Sequence, residues 1–198
     1  MDNALAALDG GGVVAYPTET VYGLGVDAAC EAALVRLLEL KGRQSGKGLS
    51  LLVAGLGGVA ELVRGQVPAA AVRLAAAFWP GPVTIVLPAA DSLSPRLVGA
   101  TGGVGLRCSA DPVAAELVSR LGRPLTSTSA NPAGGQAATT VAEAREYFGS
   151  GVDFYLDGGS RGRGDASSVV EFLDDRAYLR REGGLGRERL AAVVSLEG

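Results

Sequence analysis

Apolar positions fall into short runs and helical spacings punctuated by glycine, the pattern of alternating strands and helices. Ala4 to Leu8 ahead of Gly10, Gly11 and Gly12 predicts a short helix with a glycine stop. Val13 to Tyr16 then reads as a buried strand that Pro17 ends, and Leu34, Leu37 and Leu38 predict a helix reaching Lys41. Leu49 to Val53 has strand length, which makes Gly42 to Gly48 a loop. Val72, Leu74, Ala75 and Phe78 predict a helix that stops before Pro80, and the branched run Val83 to Leu87 predicts a strand. Val104 to Leu106 is a further strand, followed by Asp111 as cap and Pro112 as first position of a helix through Leu121, with a new strand starting at Leu125. Thr140 and Glu143 form a capping-box signature for a helix to Phe148. Val152 to Leu156, Ser168 to Phe172 and Ala177 to Leu179 supply the last strands, which arrive without intervening helices. The sum is an α/β chain with a mixed sheet, in one domain spanning 1–198.

Composition narrows the chemistry. A net charge of -3 with 47% hydrophobic residues gives no general attraction to nucleic acid, so any site for a polyanion must be local. The chain shows neither a signal segment nor an apolar run of membrane length, and the expected location is the cytoplasm. Cys30 and Cys108 make neither a disulfide framework nor a metal-ligand pair. The absence of histidine removes the commonest general base. Gly158-Gly159-Ser160-Arg161-Gly162 therefore matches the hydrolase elbow in letters alone and reads as a glycine-rich loop.

Four segments remain as chemistry-bearing candidates. Lys41-Gly42-Arg43-Gln44-Ser45-Gly46-Lys47-Gly48 resembles a phosphate cradle, although its spacing is one residue short of a Walker A loop and Gly48 stands where the magnesium-binding hydroxyl belongs. Both lysines of the chain fall in it, against 16 arginines elsewhere and within it. Leu125 to Pro132 puts four hydroxyls and the Asn131 carboxamide directly after a strand, where open α/β sheets bind ligands. Pro17 to Gly25 can form a pocket wall, or an ordinary turn. Arg107 and Arg181, each at the end of a strand candidate, can hold a carboxylate or phosphate. Gly103-Val104-Gly105 fails the dinucleotide fingerprint because Cys108 stands at the third glycine position.

In order along the chain, Tyr16-Pro17-Thr18-Glu19-Thr20-Val21-Tyr22-Gly23-Leu24, Lys41-x-Arg43, Phe78-Trp79-Pro80-Gly81-Pro82-Val83-Thr84 and Gly105-Leu106-Arg107 resemble the YrdC family. Ser127-Thr128-Ser129-Ala130-Asn131, Ser167-Ser168-Val169-Val170 and Arg181-Glu182-Gly183 complete the match, which covers about Gly11 to Gly183. The resemblance implies a twisted mixed sheet with surrounding helices and a large, positively lined cavity. It implies synthesis of threonylcarbamoyl-AMP and pyrophosphate from L-threonine, bicarbonate or CO2 and ATP with Mg2+, for modification of tRNA. It assigns Lys41 and Arg43 to catalysis and, with Ser129, Asn131 and Arg181, to ATP. It assigns Thr18, Arg107, Ser127 and Ser167 to threonine. A transient encounter with a threonylcarbamoyl transferase complex follows from the unstable product.

Three departures stand out: Ser109 where relatives often have proline, Ala133 where serine is frequent, and Leu52 where some members have histidine. Two other readings are open. One is an RNA-binding protein on the same fold, which the acidic charge and few aromatics disfavour. The other is adenylation starting from carbamoyl phosphate, as in hydrogenase-maturation proteins.

Overall fold

The computed structural model describes residues 1–42, 48–162 and 165–197. Among these residues ten strands form one mixed sheet in the order β10-β9-β8-β4-β5-β3-β6-β2-β1-β7. They are β1 (Val14–Pro17), β2 (Tyr22–Gly25), β3 (Ser50–Leu52), β4 (Val83–Pro88), β5 (Gly103–Arg107), β6 (Leu125–Ser129), β7 (Phe154–Tyr155), β8 (Ser168–Leu173), β9 (Arg176–Arg181) and β10 (Leu196–Glu197). The helices are α1 (Asp2–Asp9), α2 (Glu31–Leu40), α3 (Ala69–Phe78), α4 (Pro112–Leu121), α5 (Val141–Phe148) and α6 (Arg187–Ala191). β3 is the seam of the sheet, parallel to β5 on one side and antiparallel to β6 on the other.

Strict alternation sorts the side chains. One face turns Val83, Ile85, Leu87, Val104, Leu106, Val170 and Phe172 into the main core, where residues of α2, α3 and α5 meet them. Part of the other face carries Val14, Tyr16, Leu52 and Leu125, covered by Ala4 and Leu8 of α1 and by Ala114, Leu117, Val118 and Leu121 of α4. Each such leucine contributes about 1.5–3 kcal/mol on burial. Asp111 caps α4 as expected, its Oδ1 accepting from the amides of Val113 (2.9 Å) and Ala114 (3.2 Å), with Pro112 in the first turn. Thr140 caps α5 by accepting from the Glu143 amide (3.1 Å), while the Glu143 carboxylate accepts from the Thr139 amide (2.6 Å).

The segment Pro17 to Gly25, expected as a loop, contains strand β2. Its polar half is a tight turn and its apolar half, Tyr22 and Leu24, is fully buried in the main core. Gly25 is required there: a Cβ would lie 2.7 Å from the Tyr16 ring and 2.8 Å from the Thr126 carbonyl. α6 and β10 are additional elements at the end of the described chain. No helix among the described residues is long and apolar enough to cross a membrane.

Candidate active site

Where no helix covers the sheet among the described residues, a cavity of about 670 Å³ opens over β5, β4 and β8, reaching β3, β6 and β9. Its floor alternates with the core. Thr84 and Val86 of β4, Gly103, Gly105 and Arg107 of β5, and Val169 and Glu171 of β8 all line it. A Cβ on Gly105 would lie 3.0 Å from Ser50 Oγ and 3.1 Å from Thr84 Cγ2, so glycine keeps the floor low.

Of the nine residues singled out from the sequence, Thr18, Arg107, Ser127, Ser129, Ser167 and Arg181 line this one cavity. Lys41 and Asn131 stand directly behind Ser129, and Arg43 lies outside the described residues. Lys41 is almost fully buried, and its ammonium donates to the carbonyls of Ser129 and Asn131, both at 2.5 Å, and to Asn131 Oδ1 at 3.3 Å. Ser129 Oγ donates to the same Oδ1 (2.5 Å), and Asn131 Nδ2 donates to the carbonyls of Pro132 (2.9 Å) and Gly135 (2.7 Å). The lysine is thus built into the turn that presents Ser129.

Thr18 organises the turn between β1 and β2. Its hydroxyl donates to the Val21 carbonyl (2.7 Å), accepts from the amides of Thr20 and Val21 (3.3 Å each), and lies 2.9 Å from the Thr20 hydroxyl. Arg107 is buried; its Nη2 pairs with Glu19 Oε1 at 2.8 Å and reaches Thr20 Oγ1 at 3.5 Å. Its Nε, also buried, has no hydrogen-bond partner. Burial pushes the Glu19 carboxyl up, but the Arg107 charge and hydrogen bonds from Arg107 and Ser109 outweigh it and hold the group below its usual range. Ser109, where relatives often carry proline, donates its hydroxyl to Glu19 Oε2 and accepts from the Asp111 amide at 3.2 Å. That links the arginine to the cap of α4, a role a proline has no hydroxyl to fill.

Arg181 donates through Nε and Nη2 to the Ser167 carbonyl (3.0 and 2.8 Å) and through Nη2 to Ser167 Oγ (3.2 Å), which in turn lies 2.9 Å from Thr84 Oγ1. Burial first, then the positive charge of Arg107, lowers the Arg181 pKa. Among the described residues three guanidinium groups, Arg107, Arg180 and Arg181, face the cavity against one carboxylate, Glu171. Arg107 and Arg180 each have a carboxylate partner, whereas Arg181 has none within ion-pair distance among the described residues. The electrostatic demand of the cavity is therefore for an anion beside Arg181.

Sequence reasoning did not single out Glu171, Arg180 or Thr101. Glu171 sits in an apolar run that reads as strand, and Arg180 looks like one of many surface arginines. Among the described residues no group of three or more His, Cys, Asp or Glu side chains is placed to hold a metal ion.

The Sua5/YciO/YrdC family model, described as Telomere recombination, matches residues 6–183. The threonylcarbamoyl-AMP synthase of Halorhodospira halophila is 44% identical over 182 residues, covering 90% of this chain and 93% of that protein. That of Hahella chejuensis is 41% identical over 169 residues, covering 85% and 91%. Among solved structures, P. abyssi Sua5 complexed with L-threonine superposes with a TM-score of 0.92 at 33% identity, over 98% of this chain and 58% of that one. This chain thus spans little more than half of the P. abyssi protein. E. coli YciO superposes at 0.83 with 26% identity, over 94% and 90%.

Proposed function

This chain belongs to the Sua5/YciO/YrdC family, and on that premise we propose that it makes threonylcarbamoyl-AMP and pyrophosphate from L-threonine, bicarbonate or CO2, and ATP. The observation that carries the reading is a hydroxyl-lined cavity in which Arg107 and Arg181 feel one another's charge and Arg181 lacks a carboxylate among the described residues. A ligand bringing both a carboxylate and a phosphate relieves that repulsion.

In this reading the threonine carboxylate lies on Arg107, near its unpartnered Nε, and the hydroxyls of Thr18, Ser127 and Ser167 border the amino acid. The neutral amine adds to CO2, loses a proton to solvent and becomes a carbamate. A carbamate oxygen then attacks the α-phosphorus, the bond to the bridging oxygen breaks, and pyrophosphate leaves with the electron pair. No histidine exists in the sequence to act as base, so rate comes from alignment and from charge placed around the transferring phosphoryl group.

Arg181 and Ser129 meet the nucleotide. Lys41 and Asn131 hold the Ser129 turn in the shape that receives it, and Arg43 is assigned to phosphate by resemblance alone. Mg2+ bound with ATP would supply positive charge to the phosphates, and such an ion keeps much of its hydration and needs no dedicated cage of side chains. Among the described residues no cluster of carboxylates is placed to hold it. The product then serves transfer of the threonylcarbamoyl group to an adenosine of tRNA.

The test is pyrophosphate release from ATP with Mg2+ and bicarbonate, comparing L-threonine, L-serine and no amino acid. Threonine-dependent release is expected. Release that ignores the amino acid, or none from folded protein, overturns the reading.

A further inference from the structure

One carboxylate lines the cavity among the described residues, and the proposed chemistry does not use it. Glu171 is 4% exposed. Its Oε1 accepts from the Thr101 hydroxyl and its Oε2 from Arg180 Nε at 2.6 Å. Two strands measure its place. On β8 it follows Ser167 by four residues, and on β5 Gly103 precedes Arg107 by four, each roughly 13 Å of extended chain. A Cβ on Gly103 would lie 3.6 Å from Glu171 Oε1, so the carboxylate stands over that far end of the floor. The cavity is therefore polarised: Arg107, Ser167 and Arg181 at one end, Glu171 at the other.

We propose that Glu171, braced by Thr101 and Arg180, is the subsite for the ribose of the nucleotide, accepting hydrogen bonds from its vicinal hydroxyls. The assignment rests on the ATP-dependent reading given above. An ionised carboxylate accepts and does not donate, with about four lone-pair positions. Thr101 and Arg180 take one on each oxygen, which leaves one on each for the two hydroxyls of a diol. The Glu171–Arg180 pair leaves this end without net positive charge, whereas Arg181 at the other end has no carboxylate partner among the described residues, so phosphates are drawn to the Arg181 end and the charge pattern sets the direction in which a nucleotide lies. Arg180 offsets the cost of burying the carboxylate, while Thr101, exposed at the rim, fixes its rotamer.

The experiment is calorimetric binding of ATP, 2′-deoxy-ATP, 3′-deoxy-ATP and ITP to the wild-type protein and to Glu171→Gln, with pyrophosphate release measured in parallel. Wild type is expected to bind each deoxynucleotide about tenfold or more weakly than ATP, the size of one lost hydrogen bond to a charged group. ITP, which keeps the diol and lacks the exocyclic amine, is expected to bind like ATP. Glu171→Gln is expected to lose most of the ribose discrimination while threonine binding is unchanged. Wild type that binds the deoxynucleotides as well as ATP overturns the proposal without any variant. A penalty for ITP alone overturns it in favour of a base contact, and a ribose preference that survives Glu171→Gln places the subsite elsewhere. Ribose discrimination without threonine-dependent release would retain the subsite and remove the synthase reading, so the two fail separately.

Discussion

The outward face of the sheet has two halves that obey the same alternation and finish differently. Around β1, β3 and β6 the outward residues include Val14, Tyr16, Leu52 and Leu125, and α1 and α4 bury them. Over β5, β4 and β8 the outward residues are Gly103, Gly105, Thr84, Val86 and Glu171, and the space above them is a cavity. Large apolar side chains stabilise a helix laid over them by what they remove from water, whereas glycines and hydroxyls offer little area and leave unspent hydrogen-bonding capacity. The identity of every second residue thus decides which half is scaffold and which is site. Tyr16 marks the border: burial raises its pKa, and its hydroxyl is spent on the Thr126 carbonyl at 3.0 Å.

The largest expected effect lies on the covered half. Leu117→Ala empties a fully buried position of α4 and should cost about 2–5 kcal/mol in urea unfolding, with activity per folded molecule unchanged. A matching loss of specific activity would mean that α4 does more than cover. Gly105→Leu on the bare half should do the reverse. Its side chain rises from the cavity floor, so pyrophosphate release should fall about a hundredfold, equivalent to about 2.7 kcal/mol, for a stability cost of about 1 kcal/mol. Retained activity would show that ligands do not approach this floor.

The smallest effect concerns the join between the halves. The Glu19 carboxyl is held below its ordinary value of 4.5, so its contribution to stability is complete above that pH and is lost as pH falls through the lowered value. Stability followed from pH 6 to pH 3 should therefore slope less steeply in Glu19→Gln than in wild type. Equal slopes would show that the Arg107–Glu19 pair contributes nothing to acid stability.

Most strands and helices were legible because their apolar residues repeat at the spacing of the element, as in Val83 to Leu87, and because Asp111 and Thr140 announce their helices. β2 was not. Four residues, two of them glycine, carry no strand signal, and the need for Gly25 becomes visible only with the Tyr16 ring and Thr126 carbonyl beside it. The site divides the same way. Family-like motifs marked Thr18, Arg107, Ser127, Ser129, Ser167 and Arg181, and the fold gathers them around one cavity. Lysine usage drew attention to Lys41, but contacts to carbonyls 88 and 90 residues away are a product of folding and leave no trace in local composition. Glu171 lay hidden because a single acid in an apolar strand looks the same whether it faces solvent or a ligand.

The strand order also sets a timetable. β1 and β2 can pair with one another as soon as they exist, yet β2 finds its outer neighbour only at β6 and β1 only at β7, near residues 125–129 and 154–155. At ribosomal speed the hairpin waits on the order of ten seconds with both flanks unpaired. During synthesis the first strands made wait longest to be enclosed, and the nascent chain must be kept from finding other edges until its own arrive.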